Sequence, residues 1–216
     1  MKKICLLFTI FSLLVACSPK LNEESSNEKT ESSQIACGEK DLGILQEKHN
    51  GFTQIVPKDI SDNLFMINEK WMLVSAGTDS LYNTMTASWG GFGTAWEKPV
   101  AFMLIRDSRY TFEFLQKDSV YTLSFFNEEY KDVMKMLGSK SGRDTDKMKE
   151  AGLTYLEMPL GAPSFKEASL IIECRKLISQ PIDTTCISSP EVLDWYKEGP
   201  GTHHLFLGEI VNVWKK

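Results

Sequence analysis

Three short runs of this chain gather groups that can hold an anion or a flat polar ligand. The first, Asn83-Thr84-Met85-Thr86-Ala87-Ser88-Trp89-Gly90-Gly91, sets three hydroxyls, an amide and two glycines around one tryptophan, soon after the apolar run Trp71 to Gly77. The second, Arg106-Asp107-Ser108-Arg109-Tyr110-Thr111, follows the apolar run Pro99 to Ile105. The third is Ser139-Lys140-Ser141-Gly142-Arg143-Asp144-Thr145-Asp146-Lys147. Other chemistries are missing their parts. Gly91-Phe92-Gly93 begins like a dinucleotide fingerprint, but Trp96 stands where the third glycine belongs and Pro99 follows, so no helix starts there. Neither a GxxxxGK[ST] phosphate loop nor a GxSxG elbow is present, and three histidines, two of them adjacent, make a histidine-based metal site improbable.

A flavin mononucleotide (FMN) would use the first two runs. Its phosphate wants guanidinium and hydroxyl donors, which Arg106, Ser108, Arg109 and Thr111 supply. Its ring edge wants backbone amides on a strand of small side chains, such as Thr86, Ala87 and Ser88, with Gly90 and Gly91 keeping the approach clear. Its faces want aromatics such as Trp89 or Phe126. Each run also has a plainer reading. The first fits a Thr-rich edge strand ending in a Gly-Gly turn. The second fits a solvated turn capping a helix from Asp107 or Ser108, and the third a loop before a helix capped at Asp144 or Thr145.

The elements that must carry these runs are mostly strands. Apolar stretches bounded by Gly, Pro, Asp and Ser predict strands near 70–77, 82–89, 99–106, 119–126, 168–178 and 203–214. In Val120 to Phe125, Tyr121, Leu123 and Phe125 share a face opposite Thr122 and Ser124, the alternation of a half-buried strand. Tyr130, Val133, Met134 and Leu137 have helical spacing within 128–137, and a short charged helix is expected over 144–151. Strand after strand with few helices favours an antiparallel barrel: mainly β, with a few helices.

The N-terminus sets the address. Lys2 and Lys3 precede a mostly apolar run, Ile4 to Ala16, too short to span a bilayer, which needs ~20 residues. It ends in Leu14-Val15-Ala16-Cys17, which matches a bacterial lipobox; the alternative is an ordinary secretory signal with a chance cysteine. Residues 1–16 are therefore read as a lipoprotein signal peptide and Cys17 as the lipidated residue. Residues 17–45 form a tether, since 18–40 holds no aromatic residue but five serines and five acidic residues. The folded domain is 46–216. The expected location is the bacterial cell envelope, lipid-anchored and facing outside the cytoplasm. A net charge of −5 and no basic block argue against nucleic acid as a partner. Cys174 and Cys186 fit either a disulfide or two thiols.

The order of the motifs resembles the flavin reductase-like family of FMN-binding split barrels, in its flavoredoxin branch. The likeness runs through NTMTASWGG, the strand led by Pro99, RDSRYTFEFL and SGRDTDKMKEAGL. It continues in Glu167-Ala168 with Glu173-Cys174, and closes with His203 and Gly208-Glu209-Ile210. The resemblance implies a Greek-key split barrel that forms a homodimer with one FMN per subunit. It implies Asn83, Met85, Thr86, Ala87, Ser88 and Trp89 at the ring and ribityl chain, and Arg106, Arg109 and Thr111 at the phosphate. The loop from Ser141 to Lys147 would close the site, with Lys147 or Arg143 as the cation near the ring and His203 on the remaining side, or else exposed at a strand end. No side chain is assigned as nucleophile or general acid, and no metal is expected. Two departures stand out. Glu198-Gly199-Pro200-Gly201-Thr202 replaces the acidic-aromatic pair usual before this histidine, and the lipobox removes the cytoplasmic NAD(P)H pool. The function expected is an FMN-binding redox protein with an unidentified electron donor and acceptor. Its rivals are a non-catalytic flavin- or ligand-binding lipoprotein of the same barrel and a purely structural one.

Overall fold

The computed structural model describes residues 47–60, 66–197 and 199–216. The signal, Cys17 and the whole tether read over 1–45 lie outside the described residues. In chain order the strands and helices are β1 (Lys48–His49), β2 (Phe52–Ile55), α1 (Met66–Lys70), β3 (Met72–Thr78), β4 (Leu81–Ala87), β5 (Gly90–Ala95), β6 (Lys98–Arg106), α2 (Tyr110–Lys117), β7 (Val120–Phe125), α3 (Lys131–Ser139), α4 (Lys147–Ala151), β8 (Tyr155–Glu157), β9 (Pro163–Phe165), β10 (Leu170–Pro181), α5 (Pro190–Asp194) and β11 (His203–Lys215).

All pairings are antiparallel, in the order β4-β3-β7-β10-β11, and β11 has two partners on its other edge. Its C-terminal part pairs with β2 and its N-terminal part with β6, which pairs in turn with β5. Within this sheet β7, β10 and β11 follow one another, since β8 and β9 form a separate hairpin, and the preceding β6 lies beside β11 instead of β7. That is a Greek key. The path returns to its start because β4 runs into β5 through Ser88 and Trp89, so the sheet curls into a split barrel, as expected.

The interior follows from strand alternation. Val74, Met103, Leu123, Ile172 and Phe206 point into one cluster inside the curled sheet. A second cluster, with Leu73, Met134, Leu137, Phe165 and Trp214, fills the space under α3 and the β8–β9 hairpin. Helix α3 turns Met134 and Leu137 inward, in keeping with the helical spacing read from 128–137. Strand β7 departs from the half-buried reading. Thr122 and Ser124 are fully buried, because β9 lies over that face and Ser164 shares a hydrogen bond with Ser124 at 2.8 Å. Thr122 donates to the Pro163 carbonyl. Alternation marked two chemically distinct faces, but hydroxyls paired with hydroxyls and carbonyls can be buried as well as apolar groups.

Glu173 ties the ends of the barrel together. Its carboxylate is fully buried and accepts from Leu160 N–H, Asn212 Nδ2 and Trp214 Nε1, each at 2.9 Å. Three N–H donors replace the water that a buried carboxylate loses. Cys174 and Cys186 are both free thiols, the first buried and the second exposed. Burial pushes the Cys174 thiol up to about 12, so it stays protonated and inert.

Candidate functional site

The polar run after β3 becomes β4 and the corner that follows it. Of its three hydroxyls, two serve the fold. Thr84 accepts from Ser75 at 2.8 Å and donates to the Val74 carbonyl at 3.1 Å. Thr86 donates to the Met134 carbonyl and so fastens α3 to β4. The third, Ser88, has no hydrogen-bond partner among the described residues. Gly138 permits the same approach of helix to strand, since a Cβ there would stand 3.1 Å from Thr86 Cβ. Gly90 and Gly91 do not keep a ligand's approach clear, nor do they form a turn. They are the first residues of β5, and the space above them belongs to Phe102 of β6. A Cβ on Gly90 would lie 2.4 Å from the Phe102 carbonyl oxygen, and one on Gly91 would lie 2.6 Å from its ring.

The arginine run spans the end of β6 and the start of α2, the helix that the plainer reading of this run offered. Neither Asp107 nor Ser108 caps it. Arg109 is the N-cap residue and makes no side-chain cap, while the Asp107 carboxylate accepts from Thr202 N–H at 3.2 Å. Asn83 reaches from β4 and donates to Thr111 Oγ1 at 2.6 Å. With Oγ1 accepting there, the Thr111 hydroxyl keeps its own proton to donate to another acceptor. Similarly, α4 is capped by Asp146, whose carboxylate accepts from Lys149 N–H at 3.2 Å, and not by Asp144 or Thr145.

These elements enclose two adjoining cavities. The larger, of about 440 Å³, lies between β4, the start of α2 and the 138–147 loop; the smaller, of about 230 Å³, follows Met85 to Trp89. Met85, Arg106 and Arg109 line both. Asn83, Thr111, Ser141 and Lys147 border the larger; Thr86, Ala87, Ser88, Trp89 and His203 border the smaller. The structure thus gathers every expected site residue here except one. Arg143 turns away to the outer side of the loop, donating to the Ser108 carbonyl at 3.0 Å and pairing with Glu113 at 2.5 Å, with its guanidinium 5.0 Å from the Tyr110 ring centre. Phe126 is not at the site either. It is buried in the second core cluster against Tyr130 and Phe165.

Among the described residues, no carboxylate lines the larger cavity. Lys147 is nearly fully buried, and its ammonium donates to the Leu137 and Lys140 carbonyls, both at 3.0 Å. Burial, and then the Arg109 charge, lower its pKa to about 8. Two of its three N–H groups are used, which leaves one. Arg109 donates to the Gly138 carbonyl at 3.1 Å with one of its five N–H groups.

At the smaller cavity His203 is buried, not an exposed strand end, and its Nδ1 has no hydrogen-bond partner. Its ring lies 5.0 Å from Trp89 and 5.6 Å from Tyr196. Burial, reinforced by Arg106, lowers its pKa to about 4, so it is neutral at physiological pH. Trp195 meets Trp89 edge-to-face at 5.5 Å. Trp195 and Pro200 were not singled out from the sequence. Both lie in the connection from β10 to β11, where an aromatic pair, Trp195-Tyr196, stands beside Gly199-Pro200-Gly201.

Residues 66–216 match the flavin reductase like domain. An FMN-binding protein from Thermus thermophilus, solved with bound 1-cyclohex-2-enone, superposes with a TM-score of 0.53 at 25% identity over 67% of this chain and 69% of that one. Flavoredoxin from Methanosarcina acetivorans gives 0.54 at 22% identity, covering 73% and 74%. Flavoredoxin of Desulfovibrio vulgaris (Miyazaki F) gives 0.54 at 23%, covering 74% and 77%. No curated protein matches the chain.

Proposed function

The chain belongs to the flavin reductase like domain family, and on that premise we propose that it is an FMN-binding redox protein held outside the cytoplasm by lipid on Cys17. The observation that carries this is the pairing of a cation- and hydroxyl-lined cavity, without a carboxylate among the described residues, with a second cavity along Met85 to Trp89. Together the two fall within the ~300–1,000 Å³ of small-molecule sites.

The donor set fits the cofactor. A phosphate ester wants N–H and O–H donors without competing carboxylates. Arg109, the remaining N–H of Lys147 and the hydroxyls of Ser108, Thr111 and Ser141 offer these. A flat ring with alternating acceptors and an N–H wants an exposed backbone edge, an aromatic wall and a neutral hydrogen-bonding group. The Ala87–Ser88 backbone, Trp89 and the neutral ring of His203 meet those needs. Bound there, FMN would supply the capacity to accept and release electrons; the protein orients it and tunes its potential. Lys147 would hold positive charge at the site, and Trp89 and Trp195 would exclude water from one end.

The electron donor is a membrane or secreted partner and not NAD(P)H, for a lipid-anchored protein outside the cytoplasm has no nicotinamide pool. The protein works as a homodimer, which would cover Trp96 and Phe102, both exposed on the β5–β6 hairpin. The test is the visible spectrum of the domain without signal and tether, before and after addition of FMN. A flavin band that survives gel filtration and is lowered by Ser88→Val is expected; a colourless protein after FMN addition would refute the cofactor. Rapid oxidation of NADPH by the loaded protein would refute the choice of donor. Flavin that no donor reduces would make the protein a carrier.

A further inference from the structure

The segment 182–202, between β10 and β11, contributes Trp195 to the smaller cavity and Pro200 to the larger. None of its described residues is buried, so no apolar anchor holds it. Its two ends are fixed. Ile182 N–H donates to the His203 carbonyl at 2.8 Å, and Asp107 N–H donates to the Thr202 carbonyl at 3.0 Å. Between those ends, one side chain of the barrel bonds to it among the described residues. Arg106 donates from Nη2 to the Trp195 carbonyl at 3.0 Å and, at the long limit of 3.5 Å, from Nη1 to the Pro200 carbonyl. Gly199, at φ +106°, lets the backbone come down on the guanidinium; a Cβ there would lie 2.8 Å from Nη1. Among the described residues, the remaining ties to the barrel are the Asp107 carboxylate, which accepts from Thr202 N–H at 3.2 Å, and the ring contacts Trp195–Trp89 and Tyr196–His203. A strap with so few contacts opens at low cost unless its central tie is rigid.

We propose that Arg106 is a positioning residue that couples the two cavities, so that an anion in the larger and the closed strap over the smaller favour each other. Arg106 lines both cavities, and its planar fork carries five N–H groups, of which the strap uses two. An anion bonded to the others fixes the plane of the fork. The strap carbonyls then bind a group already oriented, and the ordering cost is borne once. By reciprocity the closed strap strengthens anion binding by the same factor. A filled anion site would therefore seat Trp195 against Trp89, and an empty one would release it. Arg106 thus acts through the strap as much as on the ligand, and Arg109 and Lys147 remain the principal anion contacts. Only the identity of the anion, a phosphate group, rests on the flavin reading.

Lys197 is the only lysine or arginine in the segment, so tryptic cleavage after it reports on this segment and no other. Cleavage at the other lysines and arginines serves as an internal control for general loosening. Saturating inorganic phosphate, compared with chloride at equal ionic strength, is expected to slow cleavage at Lys197 at least roughly fivefold, the low end of typical couplings. The protection should vanish in Arg106→Lys, which keeps the charge but loses the fork, and in Arg106→Gln. No protection in the unaltered protein, or equal protection in the variants, would overturn the coupling. FMN and riboflavin are run in parallel. Phosphate protection in a protein that takes up no FMN keeps the coupling and removes the flavin reading. Uptake of FMN without protection does the reverse.

Discussion

Lys147 makes the affinity for FMN depend on pH in a direction opposite to the stability of the free protein. Its pKa in the free protein is about 8. A bound phosphate beside it favours the ammonium and returns the pKa towards the ordinary ~10.4. At pH 7 about nine-tenths of the free protein carries a charged Lys147; at pH 9 about one-tenth does. Binding at pH 9 must therefore take up a proton, which weakens affinity about tenfold, or ~1.4 kcal/mol. For folding the sign reverses. The native pKa lies below the unfolded one, so between about 8 and ~10.4 the unfolded chain binds more protons and the free protein gains stability as pH rises. Titration of the domain with FMN at pH 7, 8 and 9, followed by flavin fluorescence, measures the affinity. Calorimetry at pH 8 in buffers of different ionisation heat counts the proton, at about half per FMN. Riboflavin, which lacks the phosphate, should show a much flatter profile, and so should FMN with Lys147→Met. A flat profile with the unaltered protein, or the same slope in Lys147→Met, would refute the reasoning.

Three further outcomes follow from the geometry. Glu173→Gln turns one acceptor into a donor facing N–H groups, and urea unfolding should show a loss of about 2–4 kcal/mol. Gly90→Ala forces a Cβ to within 2.4 Å of the Phe102 carbonyl, so the β5–β6 hairpin must shift; a loss of about 1–3 kcal/mol is expected in the same assay. His203 should titrate near pH 4, with its ring proton resonances constant from pH 5.5 to 8. An inflection near 6.5 would place it in water. Because its native pKa is depressed, stability should fall as pH drops from about 6.5 to about 4.

Much of this was legible in the residues. Alternation and turn punctuation located β3, β4, β6, β7, β10 and β11 to within a few residues, because a strand with one apolar face writes its period into the sequence. The three polar runs marked the cavity walls, since small, hydroxyl-bearing or cationic residues interrupting apolar strands need a partner other than the core. Helix α2 was legible only as one of two readings of Arg106 to Thr111, and its cap was misplaced at Asp107 or Ser108 because its first turn has no side-chain cap to announce it. Tertiary packing decided which hydroxyls were free. Thr84 and Thr86 look like Ser88 in sequence, but Ser75 and α3 claim the first two. It also sent Arg143 outward to Glu113, gave Gly90 and Gly91 to Phe102, and brought Trp195 against Trp89 across more than a hundred residues of chain. Local sequence fixes what a side chain can donate or accept; only the folded chain sets which partners reach it first.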